Sequence, residues 1–376
     1  MFWTGAMGDN FEKEPWLQKP FNEFATAFMN NRLPGSVILS CPDGTGGERL
    51  AAAMAKMYLC HAPAMNGACN NCPSCRAFDN GRHADFVHVR AVNAKDASSA
   101  VDHDPVSSEA VSFFFDEDAA SSQRYVRIDA LRTMQRLIGE SSVLGPSKVA
   151  LISDAHLMQT GAANAVLKTF EEPPAHTLII MQSRSLDALL PTVLSRAFKI
   201  RVSAPDFKTA FDYLKLSDPN YDEAKLELSL ALCNCAPFAT AKFLKAQCRS
   251  GRKEALLVDE IMKALNIFSD ALLAKAPLKA PLDDATSAFK ALPSQLCAAV
   301  LQHFVLEILK YKAHMDPKDL HVIRSMPLDL LSHLPAEHLF KAAEDLKYIA
   351  VKAPLLPSRA PYALIRAWLQ ALVKKS

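Results

Sequence analysis

Ser36-Val37-Ile38-Leu39-Ser40-Cys41-Pro42-Asp43-Gly44-Thr45-Gly46-Gly47-Glu48 reads as a buried strand, a glycine-rich turn and the first residue of a helix that continues to about Leu59. This is the setting of a phosphate-binding loop, G-x-x-x-x-G-K-[ST], whose backbone amides and helix N-terminus cradle anionic oxygens. Set against that motif, Gly46 keeps the second glycine and Cys41 replaces the first. Gly47 stands where lysine belongs, and Glu48 where Ser/Thr belongs. The charge that would meet the β- and γ-phosphates is gone, as is the hydroxyl that would hold Mg²⁺. Glu48 instead brings a carboxylate to the anion-binding end of the helix. Each lost hydrogen bond to a charged group is worth about 1.5–3 kcal/mol, and the new charge adds repulsion. Gly44, Gly46, Gly47 and Glu48 are therefore expected to form a degenerate loop without functional ATP binding, a reading that merges with that of a plain glycine-rich turn.

Working outward, Lys148–Ile152, Thr177–Met181 and Phe198–Val202 read as further strands. A helix near Gly161–Glu171, stopped by Pro173-Pro174, separates two of them. Strands alternating with helices imply a parallel α/β sheet. After Ile152 an ATPase needs two acids, one for the metal shell and one to polarise water. Ser153 and Asp154 stand there instead, so both halves of the catalytic site are degraded. Residues 95–124, rich in Ser, Ala and Asp, read as a mobile insert, in which Phe113-Phe114-Phe115 either docks on the protein's own surface or binds a partner.

Cys60, Cys69, Cys72 and Cys75 read C-x8-C-x2-C-x2-C. Four thiolates complete a tetrahedral Zn²⁺ shell with bonds of about 2.3 Å. Without an open coordination position such a site is structural. An iron–sulfur cluster and four unrelated thiols are the competing readings. Cys41, Cys233, Cys235, Cys248 and Cys297 read as ordinary core or near-surface thiols, with Cys233-x-Cys235 a weak metal signal.

The 376 residues predict two or three domains. With 42 Lys+Arg against 40 Asp+Glu, the net charge of +2 excludes a polybasic nucleic-acid tail, so any DNA contact must be local or pass through partners. No apolar run approaches the roughly 18 residues of a membrane span. Met1–Pro15 does not read as a signal peptide, and a cytoplasmic protein with reduced thiols is expected. From about Ala204 the chain reads as all-helical. Leu257, Ile261, Leu265, Phe268 and Leu272 recur at helical spacing, as do Leu296, Val300, Phe304, Ile308 and Tyr311, and finally Leu364, Ile365, Trp368 and Leu372.

Asn164-Ala165-Val166-Leu167-Lys168-Thr169-Phe170-Glu171-Glu172-Pro173-Pro174 resembles the NALLKTLEEPP helix of bacterial clamp-loader subunits. Leu194-Ser195-Arg196-Ala197 resembles their SRC motif, with alanine for the cysteine, and the four-cysteine insert after the loop helix is similar to their zinc module. The strong motifs lie between about Trp16 and Val202; beyond, only helical composition is shared. The resemblance implies an AAA+ architecture of α/β plus all-α class. A RecA-like parallel-sheet domain with a four-cysteine zinc module (60–75) and a flexible insert (95–124) would occupy 1–203, a small helical lid 204–249, and a C-terminal helical collar 250–376. It implies a non-hydrolysing, stator-like subunit. Partners would be the gamma/tau and delta subunits, with the sliding clamp and primed DNA reached through the complex, and no membrane. It also implies that Arg196, beside Ser195, acts as an arginine finger in trans on a neighbouring motor subunit, aimed by a helix over Asp187–Leu194; position alone would make it a surface or helix-capping arginine. No nucleotide-sensing arginine is found in Cys235–Ala241, at the start of a lid helix. Glu171 and Glu172 read as a solvated helix end. Two other readings compete: an active gamma/tau-type ATPase, and a stand-alone zinc-containing DNA-binding module.

Overall fold

The computed structural model describes residues 11–92, 100–102, 124–250, 253–273, 289, 292, 294–323, 335–352, 363 and 367. The chain divides between Pro205 and Asp206 into two compact units.

The first unit is built on a six-stranded sheet. In chain order its strands are β1 (Ser36–Ser40), β2 (Phe86–Val89), β3 (Val101–Asp102), β4 (Lys148–Ile152), β5 (Thr177–Ser183) and β6 (Phe198–Arg201), in the spatial order β3-β2-β4-β5-β1-β6. All pairings are parallel except β2 with β3. The central strands are continuous apolar runs because parallel strands bury both faces, and every residue of β4 and β5 is buried. At the edge, β6 alternates, leaving Lys199 and Arg201 exposed, which blunts the open edge.

Side-chain alternation sends Val37, Leu39, Val149, Leu151, Leu178 and Ile180 to one face of the sheet. There they meet α1 (Pro15–Met29) and α2 (Gly47–Leu59). Ile38, Ala150, Ile152, Ile179 and Met181 go to the other, against α4 (Ile128–Gly139) and α5 (Thr160–Glu171). Full burial of each of these Val, Leu, Ile and Met side chains stabilises the unit by about 1.5–3 kcal/mol. A short helix α3 (Pro73–Asp79) follows the cysteine segment. Lys56 on α2 is buried to 1% exposure, and its ammonium pairs with Asp79 of α3 at 2.7 Å.

Two expectations are corrected. The insert over 95–124 is not loop throughout: Val101–Asp102 form the antiparallel edge strand β3, and Tyr125 just beyond it bridges to Val92. Most of the insert, with Phe113–Phe115, lies outside the described residues. The segment Asp187–Leu194 is not one helix. A single 3-10 turn, Leu186–Ala188, gives way to a one-turn helix α6 (Pro191–Leu194). Pro191 forces Leu190 out of helical conformation, to ψ 137°, and starts a new helix with its own ring at the first position.

Among its described residues the second unit is helical apart from one antiparallel strand pair, Gln247–Ser250 with Lys253–Leu256. Its first helices, α7 (Phe207–Ser217), α8 (Glu223–Leu232) and α9 (Pro237–Phe243), share a small core of Ala210, Leu214, Leu226, Leu230 and Leu244. Asp206 and Asp222 cap α7 and α8, each accepting from a backbone amide at 2.9 Å. A larger core joins α10 (Leu257–Leu273) to the helices Ser294–Lys312 and Ala336–Lys352. The expected stripes line it: Leu257, Ile261, Leu265 and Phe268, then Leu296, Val300, Phe304 and Ile308, are all buried. Leu364, Ile365, Trp368 and Leu372 lie outside the described residues. Among the described residues no helix is long and apolar enough to cross a membrane.

A filled phosphate loop, an exposed arginine and a thiol cluster

The loop between β1 and α2 keeps the backbone of a phosphate cradle. Gly44 and Gly46 have φ of 70° and 99°, conformations that need glycine, and Gly46 caps α2. The cradle is occupied by the chain itself. Thr45 is fully buried, and its hydroxyl donates to the Pro42 carbonyl at 2.6 Å and lies 2.8 Å from Cys41 Sγ. The Trp16 indole donates to the Thr45 carbonyl at 2.8 Å. Burial pushes the Cys41 thiol up to about 12, so it remains a neutral packing group.

Gly47 explains why lysine is absent. A Cβ there would lie 2.8 Å from Cys41 Sγ and 2.9 Å from both Cys41 Cβ and Gln182 Nε2. Gln182 Nε2 is the tip of a side chain that can turn aside, but Cys41 cannot withdraw. The two departures from the motif are thus one exchange of volume, a larger side chain at Cys41 for a smaller one at Gly47. We expect Gly47→Lys alone to lower the Tm by several degrees, the cost of overpacking being about 1–3 kcal/mol. Adding Cys41→Gly should recover most of that loss in thermal unfolding. Equal Tm for the single and double variants would show that the two positions are independent.

Glu48 is turned inward and accepts from Gln182 Nε2 at 3.2 Å. Burial raises its pKa, and the charges of Asp43 and Asp154 raise it further. Asp43 is itself raised by burial, although Arg184 pairs with it at 2.7 Å. At the end of β4, Ser153 is engaged with His88, Oγ to Nε2 at 2.7 Å. Asp154 adopts φ 53° and lies 3.6 Å from Arg124 Nη2. Burial raises its pKa against the pull of Arg124 and Arg184. Sequence reading located Glu48, Ser153 and Asp154 but not their partners Gln182, His88, Arg124 and Arg184. The available signal was a polar side chain interrupting an apolar strand, as Gln182 does in β5 and His88 in β2.

Arg196 lies on the turn after α6. That turn is held by the Ser195 amide on the Pro191 carbonyl at 3.1 Å and by the Ser195 hydroxyl, which donates to the Thr192 carbonyl at 3.0 Å. The Arg196 side chain is 57% exposed, and its Nη1 pairs with Glu171 Oε2 at 3.0 Å. Glu171 is therefore more than a solvated helix end.

The four cysteines come together as their spacing predicts: Sγ of Cys60, Cys69, Cys72 and Cys75 all lie within 4.8 Å of one another. Tetrahedral thiolates on one zinc ion stand about 3.8 Å apart, given bonds of about 2.3 Å. The separations Cys69–Cys75 of 3.9 Å and Cys72–Cys75 of 3.4 Å fit that shell. Amides of Ala62 and Cys69 donate to Cys60 Sγ, that of Cys72 to Cys69 Sγ, and that of Cys75 to Cys72 Sγ, at 3.2–3.4 Å. These bonds stabilise thiolate charge. The amides of Asn71 and Cys72 bring the Cys69 thiol down to about 6. The cluster can hold a metal ion. Cys233, by contrast, is pushed up to about 12 by burial and belongs to the core, as does fully buried Cys297.

A family model described as "DNA polymerase III, delta subunit" matches residues 16–206, just over half the chain. The chain is 25% identical over 306 residues to the DNA polymerase III subunit delta' of Pseudomonas aeruginosa, covering 81% of this chain and 80% of that protein. It is 26% identical over 200 residues to the subunit of the same name from Escherichia coli, covering 53% of this chain and 52% of that protein. Against DNA polymerase III subunit tau of Bacillus subtilis the identity is 27% over 171 residues, covering 45% of this chain and 25% of that protein.

Proposed function

Because this chain belongs to the DNA polymerase III delta-subunit family, we propose that it is the non-hydrolysing, stator-like delta prime subunit of a clamp loader. In this reading it supports ATP-driven loading of the sliding clamp on primed DNA without turning ATP over itself. The observation that carries the reading is the filled phosphate loop: Thr45, Cys41 and Glu48 occupy the cradle, and Ser153 is committed to His88. An active gamma/tau-type motor would need a lysine at the position where Gly47 leaves no room for a side chain.

Arg196 is then the chain's contribution to chemistry, an arginine finger supplied in trans to the ATP site of a neighbouring motor subunit. A guanidinium is charged at any working pH, and its fork matches phosphate oxygens. The partners are the gamma/tau and delta subunits, with clamp and DNA reached through the assembly. Residues 204–249 serve as the lid and 250–376 as the collar that joins the ring. Cys60, Cys69, Cys72 and Cys75 would hold Zn²⁺, which supplies structure rather than reactivity because four thiolates leave no coordination position open.

Calorimetric titration of the metal-loaded chain with Mg·ATP tests the central claim. No heat of binding is expected up to millimolar nucleotide. A micromolar Kd would overturn the reading and return the motor assignment.

A further inference from the structure

We infer that Glu171 is the positioning residue of Arg196, an inference that rests on reading Arg196 as the finger. An arginine on an exposed turn carries about 2 kcal/mol of rotamer entropy and sweeps a wide volume unless something holds it. Here the holder sits on a rigid support. Glu171 is the last residue of α5. The Ser36 hydroxyl donates to the Phe170 carbonyl, fixing that helix end to β1. The Glu172 amide donates to the Lys168 carbonyl at 2.9 Å. Pro173 then closes on Gly35 so tightly that a Cβ on Gly35 would overlap Pro173 Cγ. The Glu171 backbone is thereby fixed to the sheet.

The pairing brings Nη1 to 3.0 Å from Oε2, in a fork that carries five N–H donors. A fork with that many donors can meet one carboxylate and still reach incoming phosphate oxygens. A largely exposed pair of this kind is worth only about 0–1 kcal/mol. That is enough to bias the side chain toward one rotamer and too little to hold it back from a triphosphate. Glu171 therefore acts on where the guanidinium sits and not on how tightly nucleotide binds. Glu172, the next residue, is exposed and makes no ion pair among the described residues, so it serves as the internal control.

The test is steady-state ATPase of the complex reconstituted from full-length subunits, with kcat and KM for ATP measured separately. Misplacing a reacting group by about 1 Å can lower a rate on the order of a hundredfold, and loss of a single tether that only biases the group should cost less. Glu171→Gln is expected to lower kcat by about three- to tenfold at the site served, with KM within twofold of wild type. Glu171→Asp should recover part of the loss, and Glu172→Gln should match wild type. In an Arg196→Ala background, Glu171→Gln should do nothing further. The free chain should keep its Tm in every variant. If Arg196→Ala lowers kcat while Glu171→Gln does not, the positioning role is wrong and the finger stands. If Arg196→Ala itself has no effect, the finger reading falls and this inference with it. An additional loss from Glu171→Gln in the Arg196→Ala background would also overturn the inference, because Glu171 would then act by another route.

Discussion

Arg196→Ala should sharply reduce the ATPase of the assembled complex while leaving the free subunit folded. The side chain is 57% exposed and its ion pair with Glu171 lies at the surface, so its removal opens no cavity. In other NTPases a finger supplied in trans is worth about 10³–10⁵ in rate at the site it completes. The loss in the whole complex is bounded by the share of turnover passing through the site this subunit faces, so single-turnover measurements should separate that site from the rest. The effect belongs on kcat, because a finger arginine would meet charge that develops in transfer. Arg196→Lys should rescue poorly, since a point charge cannot span two oxygens as a planar fork does. Wild-type turnover by the Arg196→Ala complex would end the assignment.

Removing the metal should have the second large effect, on stability. Cys60 ends α2 and Cys72 caps α3, so the thiol cluster closes the chain between two helices. The Ser74 hydroxyl donates to the Leu59 carbonyl at 2.7 Å and lies 2.8 Å from His83 Nε2, which extends the clasp toward β2. Zinc bound by such a set contributes on the order of 10 kcal/mol to folding of its own segment. Cys75→Ser, or strong chelation, should take the zinc content from one ion per chain to none. It should also expose the segment between α2 and α3 to protease and lower the Tm by about 10 °C or more, since each kcal/mol shifts the Tm by roughly 2–4 °C in units of this size. Metal-free protein with the Tm and protease resistance of the loaded form would refute a structural metal.

How much of this was legible depended on the range of the interactions involved. Strands β1, β4 and β5 start at the residues expected because burial on both faces leaves an uninterrupted apolar run. β5 continues beyond the expected Met181 through Gln182 and Ser183, polar residues that are buried because Glu48 and the Ser185 carbonyl accept their hydrogen bonds. β3 is two residues long and is defined by backbone pairing alone, which leaves no periodic trace. Pro191 was visible, and its break in the Asp187–Leu194 segment follows from proline sterics that the resemblance to the family's motif did not weigh. The cysteine cluster was readable because its ligands are close in sequence. The Glu171–Arg196 pair was not, because it depends on α5 and the turn after α6 meeting in space. The Cys41–Gly47 exchange lies within a few residues, but it is a matter of volume, and a motif comparison scores each position separately.

That exchange bears on how this subunit can change over generations. With Cys41 in place, a mutation placing lysine at Gly47 meets a steric penalty before it can meet a phosphate. With lysine absent, opening the space at Cys41 brings no catalytic gain, and Glu48 and Ser153 would still have to change. If the two positions are coupled as expected, a stepwise route toward an ATPase would cross intermediates that lose stability without acquiring activity. A chain packed in this way would keep to a role without nucleotide turnover unless several positions changed together.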